Sequence, residues 1–300
     1  MGTMTDFLVV GEALVDIVQR ADGSTVEHPG GSAANVAVAL ARLGRPVELL
    51  TAFADDARGA VLARHLNQSA VGLVGDPHRL GRTSTALARL ADDGSASYTF
   101  DIEWRLTELP ELTPQVVHAC SIGAVLAPGA DDVRRLLERL RPGALVSYDV
   151  NTRPAVTGVG PDVVQAVERV VALADLVKAS DEDLHALYPG DTIEDAVERL
   201  RGLGASAVVV TRGRGGATWY GPDGRVDVAS HEIDVVDTIG AGDTFGAGIL
   251  DALYDLGAVG GRLPGLGSSE VDGVLRHATR AAAVTVSRPG ADPPYRHELL

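Results

Sequence analysis

Glycines and two carboxylates crowd together in Asp237-Thr238-Ile239-Gly240-Ala241-Gly242-Asp243-Thr244-Phe245-Gly246, at the opening of a helical pattern that runs to Leu256. A helix N-terminus presents free amides and the positive end of the helix dipole, which suits an anion. Glycine at 240 and 242 lets a phosphate approach the backbone closely. Asp243 then stands where a carboxylate meets a phosphoryl group in transit and can take the proton of an attacking hydroxyl. Two plainer readings stand beside this one. Asp is a favoured helix cap, and capping accounts for Asp243 as readily. Gly240-x-Gly242 also begins a dinucleotide fingerprint, but the third glycine of that pattern falls on Phe245.

A second glycine pair opens another helical pattern at Gly30-Gly31-Ser32-Ala33-Ala34-Asn35. The amide of Asn35 offers a donor and an acceptor one turn in, which suits a sugar hydroxyl. A loop-to-helix junction with glycines for close packing explains the same residues, and taken alone it is the commoner case.

Elements are needed to aim these segments. Phe7 to Val10 reads as a buried strand, Ser32 to Leu43 as a helix stopped by Gly44, and Val47 to Leu50 as the next strand. Ala57 to Leu66 follows Asp55-Asp56, a helix start. Strand Ala144 to Tyr148, helix Asp162 to Leu173, strand Leu176 to Ala179, helix Ile193 to Leu203 and strand Ala207 to Thr211 follow in turn. This alternation predicts an α/β fold, a mainly parallel central sheet flanked by helices, as a single domain over 1–300. The run Ala207 to Val210 is apolar throughout, as a strand covered on both faces should be. Two stretches break the rhythm. Leu14 to Val18 and Thr25 to Glu27 flank Ala21-Asp22-Gly23, and Thr83 to Leu90 and Ser95 to Asp101 flank Asp92-Asp93-Gly94. Both read as hairpins. They predict a small β-strand lid from about 12–28 and 83–103 standing off the main sheet. Gly257 to Ser269 reads as a surface loop between two helices.

Composition removes other functions. With 45% hydrophobic residues the chain is not a disordered one. Lys and Arg number 26 against 41 Asp and Glu, a net charge of −15, which repels nucleic acid and anionic membrane. Cys120 stands alone, so neither an intrachain disulfide nor a zinc knuckle forms. No targeting or membrane-spanning segment is read at the start, and the expected compartment is the cytosol. Lys178 is the one lysine, and it lacks the glycine-rich context that a P-loop requires.

Together the two glycine segments resemble the signatures of the PfkB (ribokinase-like) sugar kinases, in the same order and at a similar wide separation. Gly11-Glu12-Ala13-Leu14-Val15-Asp16, Asp149-Val150-Asn151-Thr152-Arg153-Pro154 and Val177-Lys178-Ala179-Ser180 are similar to the fructokinase-like branch. Thr211-Arg212-Gly213 and Arg288-Pro289-Gly290-Ala291 resemble the family's nucleotide-side segments. The resemblance covers nearly the whole chain. It implies a ribokinase-like fold and transfer of the γ-phosphoryl of ATP to a sugar hydroxyl.

The resemblance also assigns roles. Asp243 is the base, and the amides of Gly240, Ala241 and Gly242 are the anion hole. Asp16, Gly30, Gly31 and Asn35 bind the sugar, with Phe100 and Arg153. Ser180, Thr211, Gly213, Gly216, His277 and Ala281 bind the nucleotide. Mg2+ accompanies ATP near Asp183 and Glu182, acting through water, because Ser180-Asp181-Glu182-Asp183 stands where the family has Asn-x-x-Glu. A potassium ion is implied at Asp237, Ile239 and Gly290, and a homodimer through the lid. Where related kinases read a substrate carboxylate with an aromatic-Arg pair, this chain has Phe100-Asp101, whose acid would repel one. A neutral ketohexose is therefore the expected substrate, with 2-keto-3-deoxygluconate, ribose or a nucleoside as alternatives. A sugar-binding regulator without activity is the competing class, and Asp243 argues against it.

Overall fold

The computed structural model describes residues 5–20, 22–90, 96–106 and 111–299. The first half of the chain runs β1 (Phe7–Val10), β2 (Leu14–Gln19), β3 (Thr25–Gly30), α1 (Ser32–Arg42), β4 (Val47–Leu50), α2 (Ala57–Gln68), β5 (Gly72–Leu73), β6 (Thr85–Leu90), β7 (Ala96–Asp101), β8 (Val116–Cys120), α3 (Ser121–Val125) and α4 (Gly129–Leu140). The second half runs β9 (Leu145–Asp149), α5 (Pro154–Thr157), α6 (Pro161–Val171), β10 (Leu176–Ser180), α7 (Asp181–Leu187), α8 (Ile193–Gly202), β11 (Ala207–Thr211), β12 (Ala217–Gly221), β13 (Gly224–Val228), α9 (Ala241–Asp255) and α10 (Ser268–Val286). Among the described residues no helix is long and apolar enough to cross a membrane.

Nine strands form the main sheet in the order β13-β12-β11-β10-β9-β8-β1-β4-β5. Pairing is parallel from β11 through β5. At one edge β12 runs against the others, pairing antiparallel with both β11 and β13. Both faces are covered, which is why β1, β8, β9 and β11 read as apolar runs. Phe7, Val9, Val116, Leu145 and Val209 share one face with residues of α1, α9 and α10. Leu8, Val117, Val146, Val177 and Val210 pack on the other with α4, α6 and α8. Each such side chain, fully buried, contributes about 1.5–3 kcal/mol.

The lid is a four-stranded sheet, β3-β2-β6-β7. Its two antiparallel hairpins are joined by the parallel pair β2–β6. The turn at Asp92-Asp93-Gly94, and Ala21 in the other turn, lie outside the described residues. Asp56 anchors the lid to the body. Its carboxylate caps α2 by accepting the Gly59 amide at 2.7 Å, and it also accepts the amide and hydroxyl of Thr83 just before β6. For this reason β6 begins at Thr85 and not at Thr83. Arg58 on α2 adds an ion pair to Glu27 of β3. The loop expected to reach Ser269 ends at Gly267, where α10 begins.

Candidate active site

The parallel strands end on one side of the sheet, and the polar residues gather there, as is general for open α/β sheets. Cys120, Asp149 and Lys178 lie side by side in register, and Ser180 pairs Thr211. The N-termini of α1 and α9 converge above them. Gly240 begins α9 from the left-handed region at φ 74°, so Asp243 is the third residue of the helix and not its cap. Its buried side chain has other partners. The Ser32 hydroxyl donates to Asp243 Oδ1 at 2.7 Å and Asn35 Nδ2 donates to Oδ2 at 2.8 Å. The plain capping reading of Asp243 therefore fails. The amides of Gly240, Gly242 and Asp243 find no acceptor among the described residues. The Ala241 amide turns back to the Thr238 carbonyl at 3.2 Å, so one of the three expected anion-hole donors is partly engaged.

Asp16 faces the same cleft from the lid. It sits in one rung with His28, Ala86 and Phe100, whose side chains share a face of the sheet. Gly30 packs so closely that any Cβ there would overlap Asp16 Oδ2. Burial pushes the Asp16 carboxyl up to about 6; His28 and Arg153 pull it back, and Asp243 adds repulsion. Asp16 is thus a carboxylate above about pH 6 and a neutral acid below. If it accepts sugar hydroxyls, KM for the sugar should rise as pH falls through about 6, approaching tenfold per pH unit. An Asp16→Asn enzyme should lose that dependence. A sugar KM that stays level down to about pH 5 in the unaltered protein would remove Asp16 from the sugar site.

A pocket of about 1070 Å³ opens on the other side of Asp243. Ala241 and Gly242 form its inner end, Thr211, Gly213 and Gly216 one wall, and Thr279, Ala282, Ala283 and Val286 of α10 another. Ile233 and Val235, both partly exposed, stand at the mouth. The pocket has room for a nucleotide with its phosphates toward Gly242 and Asp243.

Residues 4–298 match the pfkB family carbohydrate kinase. The chain belongs to that family. A fructokinase of Rhizobium leguminosarum bv. trifolii is 35% identical over 259 residues, 82% of this chain and 79% of that protein. A double-mutant fructokinase from Vibrio cholerae O395, solved in a fructose, ADP and potassium ion bound form, superposes with a TM-score of 0.79 at 26% identity over 97% of this chain and 95% of that one. Aminoimidazole riboside kinase from Salmonella enterica, complexed with aminoimidazole riboside and an ATP analog, superposes with a TM-score of 0.81 at 26% identity over 98% of both chains. The fold is ribokinase-like, and the protein is a sugar phosphotransferase, an ATP-binding kinase of the pfkB family.

Several expected site residues of this pfkB kinase take other places. His277 does not line the pocket; its Nε2 pairs with Asp251 at 2.7 Å, in a cluster with Arg45 and Arg296. Ala281 is fully buried against Leu43 and Leu299. On α10 it is Thr279, Ala282, Ala283 and Val286 that line the pocket. Ser180 caps α7 by accepting the Asp183 amide. Asp183 answers by accepting the Ser180 amide, and its other oxygen takes the amide and hydroxyl of Thr152. That carboxylate fixes the loop before Arg153. Glu182 is exposed. Among the described residues no three His, Cys, Asp or Glu side chains are placed to hold a metal ion. The residues present do not make a cage for magnesium, which fits an ion that arrives on the nucleotide's own phosphates. Asp237 joins the two segments expected at a monovalent cation, accepting the amides of Ile239 and Gly290. Asp101 is not a free acid, because Arg82 holds it in a bidentate pair.

Four side chains around Asp243 carried no role in the sequence reading. Ser32 and Asn151 form a relay, with Asn151 Nδ2 donating to Ser32 Oγ at 3.0 Å and Ser32 donating on to Asp243. Asn151 is held at φ 36°, a backbone state that asparagine tolerates better than most residues. Glu12 accepts the amides of Ser32 and Gly123, locking the first glycine segment in place. Burial pushes its carboxyl up to about 7 even though backbone amides pull it down. Lys178 forms a buried ion pair with Asp149 at 2.7 Å, beneath Gly242. Its being the one lysine was the signal.

Proposed function

We propose that this kinase phosphorylates a neutral ketohexose from MgATP, with Asp243 as the base. The observation that carries this is the position of the Asp243 carboxylate, held by Ser32 and Asn35 at the junction between the nucleotide-sized pocket and the Asp16 cleft. A sugar hydroxyl on Asp16, Asn35 and Arg153 would face Asp243, and a γ-phosphate would face the free amides of α9. Positioning and electrostatics then do most of the work of a loose transition state. Arg82 pairs with Asp101 and Arg105 with Glu103, so neither arginine near Phe100 is left to read a substrate carboxylate. This supports a neutral sugar over 2-keto-3-deoxygluconate. Ribosides are the second reading, because the aminoimidazole riboside kinase superposes over the same length as the fructokinase.

An ADP-release assay over a panel of fructose, ribose, 2-keto-3-deoxygluconate and ribosides decides among them. Fructose should give the highest kcat/KM, and a clear preference for a riboside or an acidic sugar would overturn the ketohexose reading. Turnover should stop on chelation of magnesium, since bare ATP brings too much negative charge to an acidic site. Potassium should raise the rate over sodium through the loop that Asp237 holds together; equal rates would remove that half of the proposal. We also read the lid as a pairing surface between two copies, because Tyr98 is 63% exposed and stacks on Phe100. A monomer in sedimentation at working concentration would overturn that. A kinase that needs ATP is read as cytosolic.

A further inference from the structure

Lys178 is buried, and its ammonium has one hydrogen bond among the described residues, to Asp149 Oδ2 at 2.7 Å. An ammonium carries three donors, so two remain uncommitted. Asp149 Oδ1 is buried with no partner at all. A well-satisfied structural ion pair would not leave these atoms open, because each unpaired buried polar atom costs stability. The pair also sits in a chosen place. Lys178 Nζ lies 3.4 Å from where a Cβ on Gly242 would stand. Gly242 belongs to the turn whose free amides face the nucleotide pocket. Three carboxylates, those of Asp149, Asp183 and Asp243, surround that spot, and each favours the charged ammonium.

We propose that Lys178 is a further positioning residue for phosphoryl transfer: its ammonium, steered by Asp149 beneath the Gly240–Asp243 turn, is the fixed positive charge that lines up the transferring phosphoryl group among the carboxylates. This rests on the kinase reading above. In the transfer the bond between the γ-phosphorus and the bridging oxygen breaks, its electron pair staying with ADP, and the sugar oxygen bonds to phosphorus. The hydroxyl proton passes to Asp243. Lys178 keeps its proton throughout and adds field where charge spreads over the phosphoryl oxygens. Burial alone would strip the lysine of its proton, but the Asp149 carboxylate, helped by Asp183 and Asp243, holds it above the usual lysine range. The absence of a side chain at Gly242 keeps the route from ammonium to phosphate open.

Three variants test this. Lys178→Met removes the charge, Asp149→Asn keeps the lysine and removes its partner, and the double variant removes both without leaving a buried unpaired charge. Lys178→Met and the double variant should each lose about 10²-fold or more in kcat, with KM for ATP and sugar near the wild-type value. Asp149→Asn should lose far less. A structural pair predicts the opposite pattern, with both single variants equally impaired and unstable and the double variant restored. That pattern would overturn the proposal. A second readout needs no sugar. Aluminium fluoride should tighten ADP binding to the unaltered protein by mimicking the phosphoryl in flight. Both proteins lacking Lys178 should bind ADP normally and lose the tightening; retained tightening would also overturn the proposal. If the unaltered protein phosphorylates no sugar, the kinase reading fails, while the ADP measurement still decides Lys178.

Discussion

An Asp243→Asn protein should fold, bind ATP and turn over its best sugar at least about a hundredfold more slowly than the unaltered enzyme. The stability cost should be small. Asp243 is the third residue of α9, with Gly240 as the cap, so no capping interaction is lost. The asparagine oxygen can still accept from Ser32, and Asn35 can rotate its amide to offer an oxygen to the new NH2. The variant lacks a group able to take the hydroxyl proton. General-base removal lowers rates by about 10²–10⁴. Nucleotide affinity should persist, since the backbone of Gly242 and the walls from β11 and α10 form that pocket. A folded variant with near wild-type turnover would leave Asp243 as a packing residue.

The second large effect is expected from one methyl group. Gly30 lies opposite Leu14 in the β2–β3 pair, and the Cβ of an alanine there would overlap Asp16 Oδ2. Its backbone lies outside the left-handed region, so Gly30→Ala brings no torsional strain and acts on the neighbouring carboxylate alone. Asp16 must swing away from the cleft. Hydrogen bonds to a charged group contribute about 1.5–3 kcal/mol, so the sugar KM should rise about ten- to a hundredfold. KM for ATP should hold, because the pocket beyond Asp243 does not touch β3. Steady-state kinetics with each substrate varied would show the split. An unchanged sugar KM would mean that Asp16 does not hold the substrate.

Much of the fold was legible because burial on both faces writes itself as apolar runs. Phe7 to Val10 and Ala207 to Thr211 appear as strands with their expected bounds. The β12–β13 hairpin was not anticipated. It has a turn signal in Pro222-Asp223-Gly224, but the aromatic Trp219 and Tyr220 beside it gave no clue to which sheet edge it joins. In the site, glycines before a helix and one acid were readable as local pattern. What depends on which face of a helix turns inward was not. α10 is rich in small residues, and the neighbours Ala281 and Ala282 divide between the core and the pocket. Asp183 was read only as an acid near the magnesium, and its three accepted hydrogen bonds to Thr152 and Ser180 depend on tertiary placement that the sequence does not display. Lys178 could be singled out by rarity, but its pairing with Asp149 follows from the register of β9 and β10.

The contact of Ser32 with Asp243 joins residues 211 positions apart in sequence. Every strand of both sheets precedes Asp243. A chain leaving the ribosome therefore completes the sequence of its lid and its sheets before Asp243 is made. The contact between α1 and α9 can form only after α9 has been made. In the finished molecule a ligand bound at that contact would bridge α1 and α9. Each ligand then resists unfolding of the whole chain, by an amount that grows as the logarithm of its concentration over its dissociation constant.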